Sequence, residues 1–174
     1  MSNLLDSASI VLTPTAYDNG RMLSVKPNTD LLGPESITNG DFATDTDWTK
    51  GTGWSISGGS ANCDGTQTST ANLNNTLTNN LINGKTYKVV YTISDYVSGS
   101  IRIKLGNGGF SSYYSSNGTY VDYVTAAVTT FSRAQFNADA DFIGSIDNVS
   151  IKENLSGDFD FSRNSAATRV NAQG

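Results

Sequence analysis

Four tyrosines set among amides and a carboxylate are the residues here whose types and spacing point most directly to chemistry. Tyr113, Tyr114, Tyr120 and Tyr123 stand close together in the chain, beside Asn107, Asn117 and Asp122. Aromatic rings stack on the apolar face of a sugar, while amides and carboxylates take its hydroxyls. The four tyrosines are therefore candidate carbohydrate contacts. The competing expectation is structural: such tyrosines also serve as core or edge residues whose hydroxyls reach water. There is no histidine among the 174 residues, which excludes a Ser-His-Asp triad, a Cys-His pair and His-ligated zinc. The single cysteine, Cys63, has no partner for an intrachain disulfide and reads as a small core residue. Glycoside hydrolysis needs two carboxylates across a cleft. Asp139 and Asp141, interleaved with Ala138 and Ala140, read instead as a solvated turn. No catalytic residue is assigned, and the chain is expected not to be an enzyme.

The elements that must position these residues are strands. Tyr87, Val89, Tyr91 and Ile93 alternate with Lys88, Val90 and Thr92, the period-two pattern of a half-buried strand. Ile101, Ile103 and Leu105 alternate equally cleanly with Arg102 and Lys104, which should face water. Asn83-Gly84, Ser98-Gly99 and Asn117-Gly118 are turn signals between such runs. Further strand pieces are expected at Trp54–Ser57, Tyr120–Val128, Phe131–Phe136 and Phe142–Ile151, and no stretch carries a sustained helical period. Strand signals at this spacing predict an all-β sandwich or barrel.

Composition narrows the partners. Net charge is −5 and there is no basic run, so nucleic acid is not expected. No apolar run approaches the ~18 residues of a membrane helix. The start, Met1-Ser2-Asn3-Leu4-Leu5-Asp6, lacks the basic and apolar regions of a secretory signal. Residues 1–34 read as an extended N-terminal arm. Apolar pieces around Ile10, Val11 and Leu12 and around Leu23 flank a turn at Tyr17-Asp18-Asn19-Gly20. So few apolar residues cannot bury a core of their own, and the arm should pack on something else. Residues 35–153 hold the sandwich. Residues 154–174 form a short C-terminal segment with the alternating piece Gly157–Arg163 and a small, polar end.

Two resemblances sharpen these expectations. Asn39-Gly40-Asp41-Phe42, Trp48, Gly53-Trp54-Ser55-Ile56-Ser57-Gly58-Gly59, Gly84-Lys85-Thr86-Tyr87 and Gly144–Ile151 occur in one order over one domain length. Together they resemble the galactose-binding-like jelly-roll sandwich of the family 4/9/22 carbohydrate-binding modules. The resemblance implies a jelly-roll β-sandwich with Trp48 and Trp54 as core or rim aromatics. It also implies a structural calcium held by the backbone near Asp41 and the side chain of Asp147. The family's acidic residue after the Phe is Ala43 here, which removes one ligand; the alternative for Asp147 is a carboxylate satisfying backbone donors at a strand end.

The second resemblance lies in the flanks. Leu5–Pro14, Tyr17 and Leu23–Pro27, with Gly157–Asn171 at the far end, resemble the N-terminal region of appendage and fibre proteins of tailed phages, crAss-like phages among them. In such proteins the two halves follow each other closely, so the sandwich reads as an insertion into the arm, with the fibre continuing beyond Gly174. This implies a structural virion protein, made in the host cytoplasm and released by lysis. It would be a homotrimer attached to capsid, portal or tail proteins, without membrane insertion. Ile10, Val11, Leu12, Tyr17, Leu23, Phe159, Phe161, Arg163 and Arg169 are the expected subunit or virion contacts. For the two arginines, pairing with a neighbouring subunit's carboxylates and plain solvation are equally open. A glycan-binding adhesin is the alternative function, and it is compatible with a structural one.

Overall fold

The computed structural model describes residues 17–18, 21–22, 31–130 and 132–155. The expected contacts at Ile10, Val11, Leu12, Leu23, Phe159, Phe161, Arg163 and Arg169 lie outside the described residues. Near the start of the chain, β1 (Tyr17–Asp18) pairs antiparallel with β2 (Arg21–Met22), Tyr17 opposite Met22.

The sandwich falls within Asp30–Asn154. Its strands are β3 (Leu32–Glu35), β4 (Trp48–Lys50), β5 (Trp54–Ser57), β6 (Ser60–Asp64), β7 (Ala71–Thr76), β8 (Thr86–Ser98), β9 (Ile101–Leu105), β10 (Gly109–Phe110), β11 (Gly118–Thr125), β12 (Arg133–Ala138) and β13 (Ile143–Asn154). One sheet runs β10-β9-β12-β7-β4; the other runs β11-β8-β13-β6-β5, and β3 continues β6's side of β13. Every ladder between named strands is antiparallel. The chain passes repeatedly from one sheet to the other, which makes a jelly-roll β-sandwich. Among the described residues there is no helix.

Alternation decides which side chains fill the space between the sheets. Tyr87, Val89, Tyr91 and Ile93 of β8, with Ile146 beside them on β13, face Ile101, Ile103 and Leu105 of β9, Leu73 and Phe136 within one core cluster. Burying each such side chain is worth about 1.5–3 kcal/mol. Phe136 meets Tyr91 edge-on, with ring centroids 5.0 Å apart. Trp48 and Trp54 are both buried, in the structural role implied for them. Cys63 is buried opposite Trp54, and its thiol donates to Gln67 Oε1. Burial is the main cause that pushes this thiol upward.

Two places show why particular residues are needed. Gly58 and Gly59 join β5 to β6 at φ 66° and 78°, the left-handed pair that a two-residue hairpin of matching twist requires. Gly40 lies against β13, where a Cβ would stand 2.1 Å from the Val149 carbonyl oxygen. Around it the Asn39-Gly40-Asp41-Phe42 segment is an organised loop. The Asn39 amide donates to the Thr44 and Thr46 carbonyls, the Trp48 indole donates to the Asn39 carbonyl, and Phe42 packs on Trp48.

Candidate functional site

Pleating places the intervening residues of the five-stranded sheet on its outer face. Directly opposed residues of antiparallel neighbours share a side, so the register defines rows across the sheet. Phe110, Lys104, Gln135, Asn74 and Thr49 form one row, and Arg102, Asn137 and Asn72 form the next. Arg133 continues β12's outward set. The inward neighbours Ala71, Leu73, Ile103, Phe136 and Ala138 are buried in the core, which fixes the assignment of faces.

The centre of this face is built from amides. The Asn137 side chain donates to Asn72 Oδ1 at 2.6 Å. Asn74 Oδ1 and Gln135 Oε1 are buried and accept no hydrogen bond, although buried acceptors are ordinarily satisfied. Beyond β7 the face opens into a groove of about 390 Å³ lined by Thr49, Thr52, Thr68, Ser69, Thr70 and Asn72, among others. Hydroxyls and amides supply both donors and acceptors, the set that hydroxyl-rich ligands need.

The opposite border is aromatic and cationic. The Arg102 guanidinium lies 3.8 Å from the Phe110 ring centroid and 4.4 Å from that of Tyr113. Both rings are about half exposed. The strands of this sheet carry Lys50, Arg102, Lys104 and Arg133 and no carboxylate, whereas those of the other sheet carry six carboxylates and two lysines. Burial, then the Arg133 and Arg102 charges, push the Lys104 ammonium below its ordinary value. Lys50 is ion-paired with Asp45.

The four tyrosines singled out in the sequence do not form one platform. Tyr113 lies on the outer face just described. Tyr114 and Tyr120 stack with ring centroids 3.9 Å apart and pack against the core. The Tyr114 hydroxyl donates to Asp122 and that of Tyr120 to the Ser116 carbonyl. Burial first, then the Asp122 carboxylate, push the Tyr114 phenol up to about 12. Tyr123 is exposed on β11, opposite Lys88, in the six-stranded sheet. Asn117 and Asn107 are spent on loop backbone: Asn117 accepts from the Tyr96 N–H, Asn107 from those of Thr129 and Thr130.

The acidic candidates are likewise held locally. Asp41 Oδ1 accepts from the Ala43 N–H, and Asp147 takes both the N–H and the side-chain amide of Asn148. Among the described residues no three His, Cys, Asp or Glu side chains converge. Calcium takes six to eight oxygens, preferably several carboxylates, and here the carboxylates of Asp41 and Asp147 are each engaged by neighbouring donors. Asp139 caps its own turn, accepting from the Asp141 N–H and from Ser100 Oγ.

Sequence reasoning passed over Asn72, Asn74, Gln135 and Asn137. Their signal was present: in each strand the amides alternate with buried Ala, Leu or Phe. No protein-family model matches the chain, and no curated protein matches it. Among solved structures it is similar to a mutant of a family 29 carbohydrate-binding module, at 14% identity over 68% of this chain and 89% of that one, with a TM-score of 0.46. It is also similar to a CBM29-2 mutant at 15% identity, over 68% and 89%, TM-score 0.45, and to a CBM4 structure at 17% identity, over 70% and 97%, TM-score 0.41. The chain's own strand order carries the fold, and the amide face carries the functional reading.

Proposed function

We propose that this chain is a non-catalytic glycan-binding module whose binding surface is the outer face of the five-stranded sheet. The observation that supports the reading is the amide field Asn72, Asn74, Gln135 and Asn137, opening into a hydroxyl-lined groove. Buried amide oxygens at Asn74 and Gln135 with no donor carry a cost of roughly 1–3 kcal/mol each. A sugar hydroxyl reaching them once neighbouring side chains rotate aside would recover it. A glycan array probed with the 174-residue chain tests this. The expected result is a set of retained glycans whose signal is lost in the Asn72→Ala, Asn74→Ala double variant while the melting temperature changes by only a few degrees. An array without a single retained glycan would overturn the reading.

The setting proposed for the module is a bacteriophage fibre or appendage, on the sequence resemblance of the flanking segments. There it would act as an adhesin, and the virion contacts and a homotrimer would come from the flanks, including Tyr17. Cryo-electron microscopy of intact particles tests this separately. Density for the sandwich on a head or tail fibre is expected; a particle lacking the chain would refute it.

A further inference from the structure

The amide field is flanked by an unusual cation. Phe110 and Tyr113 both lie against the Arg102 guanidinium, at 3.8 and 4.4 Å. Each ring gives up a face to the guanidinium, so the aromatic pair is a clamp for Arg102 more than a stacking platform for a neutral sugar. A stacked guanidinium keeps its planar fork directed edge-on, the geometry that takes a carboxylate or sulfate in two parallel hydrogen bonds. Arg102 Nε is buried without a hydrogen bond. Lys104, two residues on along β9, points from the same face with its ammonium 6.0 Å from the Phe110 ring. Arg133 adds its charge from the neighbouring strand β12.

The charge distribution makes this arrangement informative. The chain is acidic, with net charge −5. Yet the strands of the five-stranded sheet carry cations only, and the carboxylates found in strands lie in the other sheet. Among the described residues neither Arg102 nor Lys104 forms a salt bridge. Lys50 is neutralised by Asp45, but Arg102 and Lys104 stand two residues apart on one face of β9, and their repulsion is one that a neutral ligand does nothing to relieve. A ligand that carries negative charge along a hydroxylated backbone matches both halves of the face at once.

Taking the glycan reading as its basis, we infer that the ligand is an acidic glycan, with Arg102 and Lys104 receiving a sugar carboxylate or sulfate while the amide field holds the adjoining hydroxyls. The test is calorimetric titration of the whole chain with polygalacturonate, dextran sulfate, neutral dextran, neutral xylan and a single-stranded oligonucleotide. Polygalacturonate or dextran sulfate should bind, and the stronger of the two identifies the anion. Binding should weaken as salt is raised. Arg102→Ala should cost roughly 10- to 100-fold in affinity, the scale of a charge-assisted hydrogen-bond pair. Arg102→Lys should recover only part of it, and Phe110→Ala should lose less than Arg102→Ala. Circular dichroism and an unchanged melting temperature show that each variant is folded. If neutral xylan or dextran binds as well as the acidic polymers and ignores Arg102→Ala, the acidic specificity is wrong and the glycan reading stands. If the oligonucleotide binds as tightly as the acidic polysaccharides, the face is a general polyanion surface and the inference fails. If none of the four polysaccharides binds, the inference fails, and an array without a retained glycan takes the glycan reading with it.

Discussion

Gly40→Ala is expected to destabilise the sandwich far more than its size suggests. A Cβ at Gly40 would stand 2.1 Å from the Val149 carbonyl oxygen, 3.1 Å from its carbonyl carbon and 3.2 Å from Ile37 Cγ2. The carbonyl belongs to β13, a strand held by β8 on one side and by β6 and β3 on the other, so it cannot yield cheaply. Overpacking of a rigid site costs about 1–3 kcal/mol. Displacing the loop also breaks the bond from the Val149 N–H to the Gly40 carbonyl, worth about 0.5–1.5 kcal/mol. Together the loss is roughly 2–4 kcal/mol, which for a unit of this size lowers the melting temperature by roughly 8–16 °C. Gly108→Ala is the control. There a Cβ meets only Ala127 Cβ at 3.6 Å, an ordinary contact, and the change should stay within about 0.5 kcal/mol. Differential scanning calorimetry of the two variants decides the matter. A Gly40→Ala protein melting within about 2 °C of the parent would refute the reasoning that the first loop is pinned on β13.

Three further outcomes follow from the same geometry. Glu35 Oε1 accepts from the N–H groups of Ser36, Ile37 and Ile151, and its Oε2 from Ser150; Glu35→Ala should lower the unfolding free energy in urea by roughly 1–3 kcal/mol. The raised Tyr114 phenol keeps its proton in the folded state after the unfolded chain has lost it. Its contribution is therefore fully present below pH ~10 and lost as pH rises from about 10 to about 12; thermal melts across that window, followed with tyrosinate absorbance, should show the decline, and Tyr114→Phe should make it shallower, the part that remains coming from the Tyr91 and Tyr87 phenols, which burial also pushes up. Tyr123→Ala, on the six-stranded sheet, should leave any array signal unchanged, and its loss would move the binding surface to the other sheet.

The core was legible in the sequence because strong alternation survives in β8 up to Ile93 and throughout β9, where every second residue is Tyr, Val, Ile or Leu. The hairpin partner β6 was not, because its two buried residues, Ala61 and Cys63, are small and alternate with the polar Ser60, Asn62 and Asp64. β3 was hidden by Pro34, which reads as a break but is tolerated in a strand that pairs only with β13. The four tyrosines do not share one face, for a reason of parity. Tyr120 and Tyr123 are an odd number of residues apart on one strand, so the pleat sends them to opposite faces. The amide field drew no notice in the sequence, since only the register between β7 and β12 brings Asn72 to Asn137 and Asn74 to Gln135.

The most direct test is an NMR titration of the whole chain with a glycan retained on the array, read at the side-chain amide resonances. Shifts that saturate together at Asn72, Asn74, Gln135 and Asn137 are expected, with Arg102 perturbed alongside when the glycan is acidic. Shifts gathered on Tyr123 and β11, with those amides unmoved at saturation, would contradict the assignment of the binding face.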